Sequence, residues 1–86
     1  MSRILIAEDE PRIVAFLEKG LRANGFTTAV AKDGHEAVAM ADSSKFDLLL
    51  LDLGLPGKDG WMVLEELRGR GEQLPIIILT ARDDVS

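Results

Sequence analysis

Four acidic residues stand where short apolar runs stop. Glu8, Asp9 and Glu10 follow Ile4-Leu5-Ile6-Ala7, and Asp52 follows Leu48-Leu49-Leu50-Leu51. A hydroxyl, Thr80, follows Ile76-Ile77-Ile78-Leu79 in the same way, with the small Ala81 next to it. Carboxylates drawn together from such positions repel one another unless a cation lies among them. The donors available are oxygens, because the chain has no Cys and its one His, His35, is remote. An oxygen-only set suits a hard cation, for which Mg²⁺ is the natural choice. Asp52 also precedes a loop containing Gly54, Pro56, Gly57 and Gly60. Loops so rich in small residues let backbone groups approach a ligand closely. A plainer reading of the first cluster stands beside this one: acidic residues cap helices, and Asp9 or Glu10 would serve a helix starting at Pro11.

These residues meet only if the elements carrying them align. Ile4–Ala7 is rich in strand formers and too short for a buried helix. From Pro11 to Asn24, apolar residues at Ile13, Val14, Leu17 and Leu21 draw the one-sided stripe of an amphipathic helix, with Gly25 as its C-terminal cap. Thr27–Ala31 reads as a second, weaker strand. Asp33-Gly34 turns and caps a second helix through Ala41. Phe46–Leu51, apolar except for Asp47, has the pattern of a strand buried on both faces. Leu53–Gly60 is loop, and a third helix spans about Gly60–Arg70, burying Trp61 or Met62 with Leu64 and Leu67. Pro75 opens the last strand, Ile76–Leu79.

Strand, helix, strand, helix, strand, helix, strand predicts an α/β fold: one parallel sheet with right-handed crossovers and both faces covered. In such a sheet every strand presents its C-terminal end on one edge, where open α/β sheets bind ligands. Glu8, Asp9, Asp52 and Thr80 are therefore expected to converge there.

Composition bounds what such a site serves. The 86 residues carry Lys+Arg 10 against Asp+Glu 15, a formal charge of −5. That balance argues against direct nucleic-acid contact by this chain, which would require neutralising phosphates. No apolar run approaches the roughly 20 residues of a membrane span, and the N-terminal run is too short for a signal peptide. The absence of Cys fits a reducing compartment, so a soluble, cytoplasmic chain is expected. His35 is expected to face solvent and Trp61 to pack rather than stack on a ligand. Gly57-Lys58-Asp59 lacks the glycine spacing and the following Ser/Thr of a Walker motif.

Three motifs in order, Ile4-Leu5-Ile6-Ala7-Glu8-Asp9-Glu10, Leu51-Asp52-Leu53-Gly54-Leu55-Pro56-Gly57-Lys58-Asp59-Gly60 and Pro75-Ile76-Ile77-Ile78-Leu79-Thr80-Ala81, resemble the receiver domain of two-component response regulators. The Leu79-Thr80-Ala81-Arg82 ending looks most like the branch with a C-terminal winged-helix DNA-binding domain. The resemblance implies a flavodoxin-like fold and a phosphoacceptor and signalling domain rather than an enzyme. Asp52 would take a phosphoryl group from a histidine kinase or a phosphotransfer protein, and the switched output would be transcriptional. Asp9 and Asp52 would ligate Mg²⁺ directly, Glu8 would help through water, and the Gly54 backbone carbonyl would supply another ligand. Thr80 would hydrogen-bond the phosphoryl group and act as the switch, while Ala81 would leave it room.

The family's domain has five strands and five helices, so the resemblance implies that residues 1–86 are the N-terminal part of one receiver domain, ending after four strands and three helices, with no output domain. The family's phosphate-contacting lysine follows the fifth strand, and Arg82 is a nearby cation here. The expected consequence is an edge at strand four, Ile76–Leu79, that self-associates or swaps elements between chains. The alternative reading is accordingly an assembly fragment without phosphoryl transfer. A hydrolase using Asp52 as a transient nucleophile fits less well, because the dehalogenase-like pattern wants an acid at position 54, which is glycine.

Overall fold

The structure, a computed structural model, describes residues 2–80. Seven elements alternate: β1 Arg3–Ala7, α1 Pro11–Ala23, β2 Thr27–Ala31, α2 Gly34–Met40, β3 Leu48–Asp52, α3 Gly60–Gly69 and β4 Ile76–Thr80. The strands form one parallel sheet, as the element order predicts, and their order β2-β1-β3-β4 is the flavodoxin-like arrangement that the family resemblance implies. The two central strands are the two that lead into the acidic residues. Alternation along them divides the core: Leu5, Ala7, Leu49 and Leu51 join the cluster under α2 and α3, whereas Ile4, Ile6 and Leu50 join the cluster with Leu17 and Leu21 of α1.

Local chemistry sets the helix ends. Asp33 and Asp59 cap α2 and α3, accepting from the N–H groups of Glu36 at 2.8 Å and Met62 at 3.0 Å. Helix α1 ends in a paired turn: the Phe26 N–H donates to the Leu21 carbonyl at 3.1 Å and the Gly25 N–H to that of Arg22 at 3.0 Å. This turn requires a left-handed residue at its corner, and Gly25 supplies it with φ 88°. Gly71, with φ 82°, ends α3 in the same way.

Three expectations need correction. Strand β3 starts at Leu48 rather than Phe46, because the Phe46 N–H donates to the Asp42 carbonyl and closes a turn instead of entering the sheet. The Phe46 ring is nonetheless buried, with the Arg3 guanidinium 5.2 Å from its centroid. Helix α3 buries Gly60, Val63 and Leu67, leaves Leu64 half-buried, and exposes Trp61 and Met62 by 59 % and 50 %. Its phase is set at Gly60, whose N–H donates to the Leu53 carbonyl and turns positions 60, 63 and 67 inward. Trp61 therefore does not pack in the core. The stripe on α1 is only partly covered: no residue of the helix is buried, Ile13 is exposed, and Phe16 is 76 % exposed. His35 is exposed as expected.

Candidate functional site

Adjacent central strands in register bring the acidic residues together. Ala7 of β1 pairs with Leu51 of β3, so the next residues along each strand, Glu8 and Asp52, leave the sheet side by side. Carboxylate oxygens of Glu8, Asp9 and Asp52 lie within 4.8 Å of one another. Glu8 and Asp52 are buried at 2 % and 7 % exposure, and Asp9 is exposed. Glu10 stands apart from the cluster. It is the N-cap of α1, and its side chain accepts from the Arg12 N–H at 3.4 Å. The capping role thus falls to Glu10 and leaves Asp9 to the cluster.

Each buried carboxylate is held by a backbone N–H two residues on. Glu8 Oε2 accepts from the Glu10 N–H at 3.0 Å, and Asp52 Oδ1 accepts from the Gly54 N–H at 3.1 Å. Burial pushes the Glu8 carboxyl above the ordinary glutamate range; the Glu10 N–H opposes this, and the charges of Asp52 and Asp9 add to it. Concentrated negative charge in a half-enclosed place disfavours itself, and a bound cation would reverse the balance. The donor set consists of carboxylate oxygens, the chemistry that a hard divalent cation requires, so the residues present fit Mg²⁺.

Of the other residues expected here, Thr80 closes β4, and its backbone pairs opposite Asp52. Between Leu51 and Asp52 the register slips, so that Leu51 faces Ile78 while Asp52 faces Thr80. Such bulges recur beside functional sites, where they re-aim a side chain or end the pairing. Ala81 and Arg82 lie outside the described residues. Gly54 contributes its N–H to Asp52. Lys32, which carried no site expectation, lines a cleft of about 310 Å³ together with Glu8, Asp9, Val14 and Glu18. Lys58 instead pairs with Glu66 on α3 and holds that carboxyl below the usual range.

Among the described residues no helix is long and apolar enough to cross a membrane. The family pattern of the response regulator receiver domain matches residues 4–86. The chain is similar to the transcriptional activator protein IrlR of Burkholderia pseudomallei, 49 % identical over 83 residues. That match covers 96 % of this chain and 36 % of IrlR, so the chain spans little more than a third of the curated relative. In structure it resembles the receiver domain of the Francisella response regulator 1452, with TM-score 0.89, 33 % identity, and coverage of 99 % of this chain and 70 % of that one. It also resembles the response regulator TrrA of Thermotoga maritima in complex with Mg(2+)-BeF, with TM-score 0.85, 37 % identity, and coverage of 99 % and 77 %. TrrA has further been solved in complex with the histidine kinase ThkA. Receiver domains are signalling domains rather than classical enzymes. A family match over nearly the whole chain, joined to the sheet order and the acidic edge it produces, makes this chain a member of the response regulator receiver domain family.

Proposed function

We propose that this receiver domain accepts a phosphoryl group from a histidine kinase on Asp52, in a step that needs Mg²⁺, and that the added charge switches a transcriptional output. The observation that carries this reading is the meeting of Glu8, Asp9 and Asp52 at the C-terminal edge of the sheet. Asp9 and Asp52 would hold Mg²⁺ directly, Glu8 through water, and Gly54 through its backbone carbonyl. When bound, the ion neutralises charge on the phosphoryl oxygens. An Asp52 carboxylate oxygen attacks phosphorus and forms a P–O bond. The P–N bond to the kinase imidazole breaks, and its electron pair returns to a ring that leaves neutral with the proton on its other nitrogen. The product is an acyl phosphate on Asp52. The Thr80 hydroxyl would donate to a phosphoryl oxygen, and Ala81 would leave space beside it.

Phosphorylation replaces the single charge of the Asp52 carboxylate with an acyl phosphate of about −1.5 to −2, next to two other carboxylates. A rearrangement of Thr80, on the strand beside Asp52, would carry that change to the surface of β4. The complexes of TrrA with Mg(2+)-BeF and with ThkA support the cation and the kinase partner, and the relative's role as a transcriptional activator supports the output. Residues 1–86 would belong to a single receiver domain in a cytoplasmic protein, without contacting nucleic acid themselves. The exposure of Ile77 and Ile78 on β4, the last strand of the described sheet, supports self-association there; sedimentation as a single monomeric species would oppose it. Intact-mass spectrometry after incubation with a small phosphodonor and Mg²⁺ tests the main reading. One phosphoryl group is expected on the parent chain and none on Asp52→Ala, while equal gain by both would overturn it.

A further inference from the structure

We propose that Gly34, the first residue of α2, is a positioning residue for the loop after Asp52, so that the start of α2 holds the acidic site in its cation-binding shape. The inference rests on the Mg²⁺ reading of that site and adds a residue that neither the motifs nor the acidic cluster contains.

Gly34 is buried against the backbone of that loop. A Cβ there would lie 1.6 Å from the Lys58 carbonyl oxygen and 2.5 Å from its carbonyl carbon, overlaps that no side-chain rotation relieves. The Gly34 N–H also donates to the Pro56 carbonyl at 3.1 Å. One glycine thus holds the loop at two points, by contact at Lys58 and by hydrogen bond at Pro56. Gly60 pins the loop against β3: its N–H donates to the Leu53 carbonyl at 2.9 Å, and a Cβ on it would meet Leu53 Cα at 2.5 Å and the Asp52 carbonyl oxygen at 2.6 Å. Between these anchors lies Gly54, whose N–H donates to Asp52 Oδ1 and whose carbonyl is the proposed ligand.

The start of α2 is itself fixed relative to the acidic residues. Asp33 accepts from the Glu36 N–H, and Glu36 Oε1 accepts from the Lys32 N–H at 2.7 Å, so the two side chains tie the end of β2 to the first turn of α2. Lys32 directly follows β2, whose last carbonyl, that of Ala31, accepts from the Glu8 N–H at 3.1 Å. Hydrogen bonds and chain therefore run from Glu8 through Ala31 and Asp33 to Gly34, across to Pro56 and Lys58, and back through Gly54 to Asp52. The pairing of β1 with β3 fixes Glu8 and Asp52 themselves, so moving the loop away from α2 displaces the Gly54 backbone, the proposed ligand, relative to the carboxylates. Mg²⁺ demands near-ideal octahedral geometry, whereas Ca²⁺ accepts a flexible one. A displaced loop should therefore affect the smaller ion more.

Residue-resolved NMR titrations of the 86-residue chain with Mg²⁺ alone and with Ca²⁺ alone test this, using Gly34→Ala beside Gly20→Ala, whose added Cβ meets nothing within 4 Å. Gly34→Ala should weaken Mg²⁺ binding by about tenfold or more and Ca²⁺ binding by less, with Gly20→Ala matching the parent. Equal losses for both ions, or none, would overturn the proposal. A second measurement needs no variant: Mg²⁺ should slow amide hydrogen exchange of Gly34 in the parent together with that of Gly54 and Gly60. Slowing at Gly54 and Gly60 with Gly34 unchanged would overturn it even if Gly34→Ala fails to fold. A parent chain that does not respond to Mg²⁺ would instead refute the metal reading itself, and this inference with it.

Discussion

The two faces of the sheet are built to different standards. Under α2 and α3, thirteen buried residues among those described form one cluster, including Leu5, Leu49, Leu51, Val63, Leu67 and Leu74 at 0 % exposure. Under α1, three buried residues, Ile4, Ile6 and Leu50, carry the packing among the described residues, and α1 itself buries none. The site belongs to the better-packed side in its supports. Its loop leans on α2 at Gly34 and on α3 at Gly60, while α1 enters through Glu10 and the walls of the cleft beside Glu8. The difference teaches where precision is located: acidic residues that repel one another are held by the face with the most buried contacts to oppose that repulsion.

Substitutions can break this contrast or sharpen it. Leu67→Ala, on the α3 side at 0 % exposure, should cost about 2–5 kcal/mol in chemical denaturation. A loss no larger than that of a substitution on α1 would erase the contrast. Asp52→Asn should act in the opposite direction in metal-free buffer. It removes one charge from the cluster while keeping an oxygen for the Gly54 N–H, and should stabilise the chain by about 1 kcal/mol. Mg²⁺ should raise the denaturation midpoint of the parent but not of Asp52→Asn; a midpoint for the parent that ignores Mg²⁺ would count against the cluster as a cation site. Phe16→Ala, on the other face and 76 % exposed, should change stability by no more than about 0.5 kcal/mol. A drop of several kcal/mol there would mean that the α1 face is covered in solution, which sedimentation would show as association.

Much of the site was legible because parallel sheets collect strand ends on one edge. With Ile4–Ala7 and the leucine run as strands of one parallel sheet, Glu8 and Asp52 fall on the same edge; that the two strands are neighbours, with Ala7 opposite Leu51, comes from the structure. Caps were legible for a similar local reason, since Asp33 and Gly25 act on residues within a turn of themselves. The features that escaped depend on distant backbone. The inward face of α3 follows from contact between Gly60 and the Asp52–Leu53 peptide, so Trp61 and Met62 face outward although their side chains are apolar. Phe46 extends the leucine run in composition but spends its N–H on Asp42, a choice no periodicity reveals. The contact of Gly34 with Lys58 joins two loops far apart in the chain and leaves no mark beyond a glycine after a capping aspartate.

Whether Asp52 is the phosphoacceptor is decided by locating the phosphoryl group after reaction with a small phosphodonor, by peptide mass mapping with Mg²⁺ and again with a chelator. The acidic edge predicts one modified peptide, the one containing Asp52, formed with Mg²⁺ and lost when the ion is removed. A phosphoryl group on another residue, or equal labelling of Asp52 under chelation, would rule out Asp52 as a Mg²⁺-dependent phosphoacceptor.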